Sequence, residues 1–161
     1  TPDIGSNLPG AHIWVSARQP CVAALQNGPE WHVPEDLSCR VADLLGARAR
    51  NMLGMARAAG KIVLGFAKVD AALSGGRARM LVSACDGARD GRAKLARKAQ
   101  AAAVPVVELF SAEELGLAMG RQDVIHSAVI EAQWAAKIDV AAHRWQVYIG
   151  AVSSGQVGGQ K

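Results

Sequence analysis

Gly65 stands between Lys61 and Lys68, at the head of an amphipathic run from Phe66 to Leu73 that reads as a helix. A helix that opens directly after a glycine presents its first backbone N–H groups unpaired. Those groups, with an ammonium ion on either side, are the chemistry that holds a phosphate oxygen. Arg57 before this stretch and Arg92 and Lys94 after it enlarge the set of candidate cations. The charge of the whole region supports the same chemistry. Residues 40 to 98 carry 13 of the 18 Lys and Arg and 4 of the 14 Asp and Glu, a net of +9 where the rest of the chain nets −5. A block of that sign attracts phosphate even where no single contact is specific; a solvated charged face is the plainer alternative.

Other chemistries find no set of residues. His12, His32, His126 and His143 are dispersed and no two stand at ligand spacing, so each reads as a surface or hydrogen-bonded histidine. Cys21, Cys39 and Cys85 contain no C-x-x-C pair and are too scattered for a zinc site or a disulfide framework. Cys85, after an apolar run, is expected to be a small core thiol. The glycines form neither a phosphate-binding Walker motif nor a dinucleotide fingerprint, since Gly75 and Gly76 precede their strand. No enzyme, metal or cofactor is expected. No apolar run nears the roughly 18 residues that span a bilayer, and the thiols suit a reducing, cytoplasmic setting.

The elements that must position the cations follow from patterning. Residues 1 to 20, punctuated by Pro2, Gly5, Pro9 and Gly10, suggest an arm or a short strand at Ile13-Trp14-Val15, and breakers from Asn27 to Asp36 suggest a linker. From Leu37 to Ala59, Val41, Leu44, Leu45, Met52 and Met55 recur at three- and four-residue steps, predicting a helix with Ser38 as N-cap and Gly60 ending it. Met80 to Ala84 reads as a buried strand and Gly91 to Ala103 as a basic helix. Val104 to Phe110 is a second strand. Ser111 to Gly120 is a helix opened by the capping box Ser111-Ala112-Glu113-Glu114, followed by a strand from Asp123 to Ile130 and a helix from Ala132 to His143. Residues 153 to 161 are expected to be a flexible tail. The alternation predicts an α/β protein: a three-layer α/β/α sandwich with a mixed sheet of about four strands, plus a small N-terminal arm or remnant module.

Two resemblances accompany these readings. Leu8-Pro9-Gly10-Ala11-His12-Ile13-Trp14-Val15-Ser16-Ala17-Arg18 resembles part of the YlxR-type RNA-binding module of bacteria, with Ala11-His12 in place of its Arg-Gly pair. Ala59 to Gly65, Met80 to Ala84 with Asp86, Val104-Pro105-Val106 and Leu115 to Gly120 together resemble the ribosomal-protein superfamily that binds RNA kink-turns, most closely its YlxQ-type members. The breakers at 27–36 and the Gly-, Ser- and Gln-rich end suggest domains at 1–36, 37–152 and 153–161, and the resemblance, from about Leu44 to Ile130, implies that the central one is a kink-turn-binder-like domain. It also implies structured RNA, ribosomal or other non-coding, as the partner, with ribonucleoprotein proteins beside it. The expected face comprises Lys61, Gly65, Lys68, Arg57, Arg121, Val124, Ile125, Arg92 and Lys94, with Val124-Ile125 as an apolar loop beside a base. The Asn, Glu and Lys with which the superfamily reads sheared G·A pairs correspond here to Ala67, Lys68 and Ala71, so binding through phosphates is what remains. Phe66, the aromatic nearest that face, is expected to be a core residue. A protein-interaction module that kept the sandwich and lost RNA is the competing expectation.

Overall fold

The computed structural model describes residues 2–5, 9, 14–26 and 33–150. The expected tail at 153–161 and five of the eleven residues of the YlxR-like segment, 8 and 10–13, lie outside them. Among the described residues ten elements follow in order: α1 (Gln19–Gln26), α2 (Leu37–Ala58), β1 (Ile62–Leu64), α3 (Phe66–Ser74), β2 (Met80–Ser83), α4 (Arg89–Ala101), β3 (Val106–Val107), α5 (Ala112–Met119), β4 (His126–Val129) and α6 (Ala132–Tyr148). The described residues divide into two compact units, one comprising those up to Ala47 together with those from His143 on, the other Arg48–Ala142.

The larger unit is the expected three-layer sandwich. Its sheet has the order β1-β4-β2-β3, with β4 antiparallel to both of its neighbours and β3 parallel to β2. Register places Leu81 opposite Ala128 and Ala128 opposite Val63. On that face Val69, Ala72 and Leu73 of α3 and Leu95 and Ala99 of α4 close a fully apolar cluster. Asp70 and Lys98 pair at 2.5 Å between the two helices. Met80, Val82 and Val129 alternate with these residues and are equally buried on the other face, where the buried Leu53, Ala56, Leu115, Met119 and Ile138 of α2, α5 and α6 form the third layer. Because both faces are covered, β2 and β4 are apolar or hydrogen-bonded at every position. Ser127 donates to the Val82 carbonyl at 3.3 Å, so its hydroxyl is not buried unpaired.

Two helix ends obey the expected signals, while α6 runs on past the expected His143 to Tyr148 and α4 spans Arg89–Ala101 rather than Gly91 to Ala103. The Lys61 N–H bonds the Ala56 carbonyl and the Gly60 N–H that of Arg57, a paired closure made possible by Gly60 at φ 71°. Ser111 accepts from the Glu114 N–H at 3.1 Å while the Glu114 carboxylate accepts from the Ser111 N–H at 3.0 Å, completing the capping box. Ser38 is not an N-cap, however. α2 already begins at Leu37, and the Ser38 hydroxyl lies 3.1 Å from that of Tyr148. In this smaller unit Val22, Leu37, Val41, Leu45 and Tyr148 form a cluster of their own.

Strand bounds shrink relative to expectation. Only Val106–Val107 pair at the sheet edge, and Asp123–Ile125 are loop, with β4 starting at His126. Trp14 and Val15 belong to no strand, and α1 is a helix that the patterning did not suggest.

Candidate functional site

The sheet topology brings the ends of β1 and β2 to the start of β4. The Gly65 N–H donates to the His126 carbonyl at 2.9 Å, and the Ala84 N–H to that of Ile125 at 2.8 Å. Gly65, at φ 90°, turns the chain from β1 into α3 in a region that favours glycine. It gives α3 no side-chain cap, and the first intrahelical bond is Val69 N–H to the Gly65 carbonyl. The N–H groups of Phe66, Ala67 and Lys68 therefore have no partner within the helix, and the positive end of its dipole is open.

A groove of about 570 Å³ runs along this edge. β1 contributes Ile62, Val63 and Leu64 to its lining, and the loop before β4 contributes Arg121, Asp123, Val124 and Ile125. Arg57 of α2, Gly65, and Phe66 and Lys68 of α3 complete the lining together with His126. Arg57, Lys68 and Arg121 pair with no carboxylate among the described residues, while Asp123 contributes one opposing charge.

Six of the nine expected face residues are thus brought together: Arg57, Gly65, Lys68, Arg121, Val124 and Ile125. Within the apolar loop the roles separate. Val124 is 5 % exposed and belongs to the core, whereas Ile125 is 43 % exposed and carries the accessible apolar surface. Lys61 does not line the groove and faces Glu131 at 3.5 Å. Arg92 is turned inward, donating to the carbonyls of Ala84 and Cys85 and lying 3.9 Å from the Glu108 carboxylate, so its guanidinium ties the end of β2 rather than meeting solvent phosphate. Lys94 extends its ammonium over the Phe66 ring, 5.4 Å from the centroid.

Phe66 and His126 are what sequence reasoning missed. Phe66 is not a core residue: it is 37 % exposed on the groove rim, edge-on to His126 at 5.8 Å and 70°. Its place as the first residue of α3, directly after Gly65, was the available signal. Cys85, expected inside, is exposed, because β2 ends at Ser83 and the chain is already leaving the sheet. Among the described residues no group of three His, Cys, Asp or Glu could hold a metal, and no helix is long and apolar enough to cross a membrane.

His126 is buried and shares a 3.2 Å hydrogen bond between Nδ1 and the Ser83 hydroxyl. Burial holds its pKa below the ordinary 6.5; the Glu108 carboxylate opposes this and the Arg92 guanidinium reinforces it. The neutral ring is therefore favoured in the folded state, and the unfolded chain binds the proton more readily. This contribution to stability is complete above pH 6.5 and is lost as pH falls from 6.5 through the lowered folded value. His126→Gln should flatten that part of the pH dependence of unfolding in urea; an unchanged profile would show that the ring titrates normally.

A small α/β/α sandwich with an apolar groove rimmed by cations at an uncapped helix start is the class of protein that these features define. The chain belongs to the ribosomal protein L7Ae/L30e/S12e/Gadd45 family, whose sequence model matches residues 47–139. Its fold is similar to that of a Bacillus halodurans protein of unknown function, with 23 % identity and a TM-score of 0.59 over 60 % of this chain and 98 % of that one. It is also similar to that of the Giardia lamblia 15.5kD RNA binding protein, with 18 % identity and a TM-score of 0.51 over 67 % of this chain and 90 % of that one. A comparison with curated protein sequences found no match.

Proposed function

We propose that this is a YlxQ-type RNA-binding protein that contacts structured RNA mainly through phosphates, in a ribosomal or RNA-processing context in the cytoplasm. One observation carries the reading: the uncapped start of α3 opens into the same groove as Arg57, Lys68 and Arg121, three cations drawn from three different parts of the chain and without carboxylate partners among the described residues. Family membership and the RNA-binding neighbour support it. With Ala67 and Ala71 at the positions where the superfamily places side chains that read bases, the surface offers charge and shape rather than a base code.

A mobility-shift series with a structured RNA at increasing salt tests the reading. Three phosphate contacts release counterions with a slope of log K against log salt of roughly −2 to −3. The competing reading, a protein-interaction module, draws on the apolar walls of the groove and on Ala67 and Ala71. It predicts no RNA shift at any salt, and that result would displace the RNA reading.

A further inference from the structure

We propose that the open edge of β1 accepts an extended acidic segment of a partner protein as an added strand of the sheet; this stands independently of the RNA reading above. β1 is one end of the sheet, so only one of its sides is paired. Its register with β4 determines which backbone groups are left over. The Gly65 N–H donates to the His126 carbonyl and the Ile130 N–H to the Lys61 carbonyl, both at 2.9 Å. Bonded residues alternate along an antiparallel pair. Val63, midway between those two bonds, therefore also faces β4, and Ile62 and Leu64 turn their N–H and C=O groups outward. Among the described residues no backbone group bonds to them there.

The groove lies against these outward groups. Val63 packs on the cluster between the sheet and α3 and α4, and alternation points Ile62 and Leu64 to the opposite face. A groove lined by all three residues borders the edge of the strand rather than one face of the sheet. Strand edges are ordinarily blunted by proline or by a charged side chain. Pro105 stands just before β3 at the other end of the sheet, whereas β1 is apolar throughout and the ammonium of Lys61 beside it is turned to Glu131. Charge then selects the occupant. Arg57, Lys68 and Arg121 line the groove with the single carboxylate of Asp123. A second copy of the chain, paired β1 to β1, would bring like charges together. An extended segment with Asp or Glu at alternate positions instead sets carboxylates among the cations and lays its apolar side chains against Leu64 and Ile125. The three residues of β1 span about 10 Å, enough to pair with roughly three residues of the segment.

The test titrates the full chain, without RNA, into a short fluorescein-labelled peptide of alternating valine and glutamate and follows anisotropy at fixed salt. The peptide should bind. The same peptide N-methylated at every interior amide keeps its charge and side chains but cannot donate to the edge, and it should bind about tenfold more weakly or worse. Leu64→Pro removes one outward N–H and leaves the bonds to β4, a change that an edge strand tolerates, and should weaken binding about fivefold. Leu64→Ala keeps that N–H and should lose less. Equal binding of the N-methylated peptide would overturn strand addition, and this arm decides even if Leu64→Pro does not fold. Failure of the unmodified peptide to bind would also overturn it, as would a folded Leu64→Pro that binds like the parent. A dimer in sedimentation equilibrium that Leu64→Pro abolishes would give the edge to a second copy instead. A missing RNA shift in the salt series would count against the RNA reading alone.

Discussion

Gly116→Val is expected to cost more than about 3 kcal/mol of stability and to lower the thermal midpoint by roughly 10 °C. Gly116 lies within α5, where glycine is ordinarily a liability. Here a Cβ would collide with the Gln122 oxygen and sit 2.8 Å from the Gln122 carbonyl carbon and 2.9 Å from the Arg121 oxygen. All three atoms are backbone, so no side chain can rotate away. The loop they belong to is fixed from several sides. Arg121 N–H bonds the Gly116 carbonyl at 2.8 Å, Gly120 turns at φ 65°, and Val124 N–H returns to the Ala112 carbonyl at 3.0 Å. Gly116 is what lets residues 121–125 fold back along α5, and therefore what places Arg121 and Ile125 at the groove. Leu117→Ala is the control, since that neighbouring side chain is 74 % exposed, and it should change stability by no more than about 0.5 kcal/mol. If Gly116→Val melts like the parent, the loop can relax away and the fold does not depend on its position.

Much of this architecture can be read in the sequence, because local signals agree with the tertiary outcome. Gly60 and the Ser111–Glu114 box mark helix ends by their own chemistry, and the order of helices and strands from α2 onward follows from them. What escaped is what tertiary contact decides. α1 has eight residues, too few to be stable alone, and it exists because Val22 packs with Leu37, Val41 and Tyr148. β3 is two residues at an edge, where an apolar run from Val104 to Phe110 suggests a full strand. At the site, the cations are legible from their spacing, since exposure is their default. Whether a given cation is free is not legible: Arg92 and Lys94 look alike in sequence, yet one is consumed by the carbonyls at the end of β2 and the other lies over a ring. Apolar residues pose the converse problem. Val124 and Ile125 are adjacent and chemically similar, and only the alternation entering β4 sends one inward and leaves the other at the groove.

The same distinction sets the largest effect expected on binding. Patterning pairs Lys61 with Lys68 as the decisive cations, but Lys61 already faces Glu131 and stands off the groove, whereas Lys68 and Arg121 line it without carboxylate partners among the described residues. Lys68→Glu with Arg121→Glu should therefore lower affinity for structured RNA by about a hundredfold or more at low salt, since each contact of a charged donor with phosphate contributes roughly 1.5–3 kcal/mol. The salt slope should fall by about 1.4 to 1.8, the share of two phosphates. Both side chains are exposed, so the fold should tolerate the change. Arg144→Glu, outside the basic block, is the control and should leave affinity and slope as they were. Lys61→Glu should have a smaller effect than either groove variant, because that ammonium is already partly neutralised by its carboxylate. If the double variant binds like the parent while Arg97→Glu abolishes the shift, RNA lies along the outer face of α4 and the groove serves another purpose. If none of them matters to a shift that persists at high salt, phosphate contacts do not carry the binding, and the interaction-module reading takes their place.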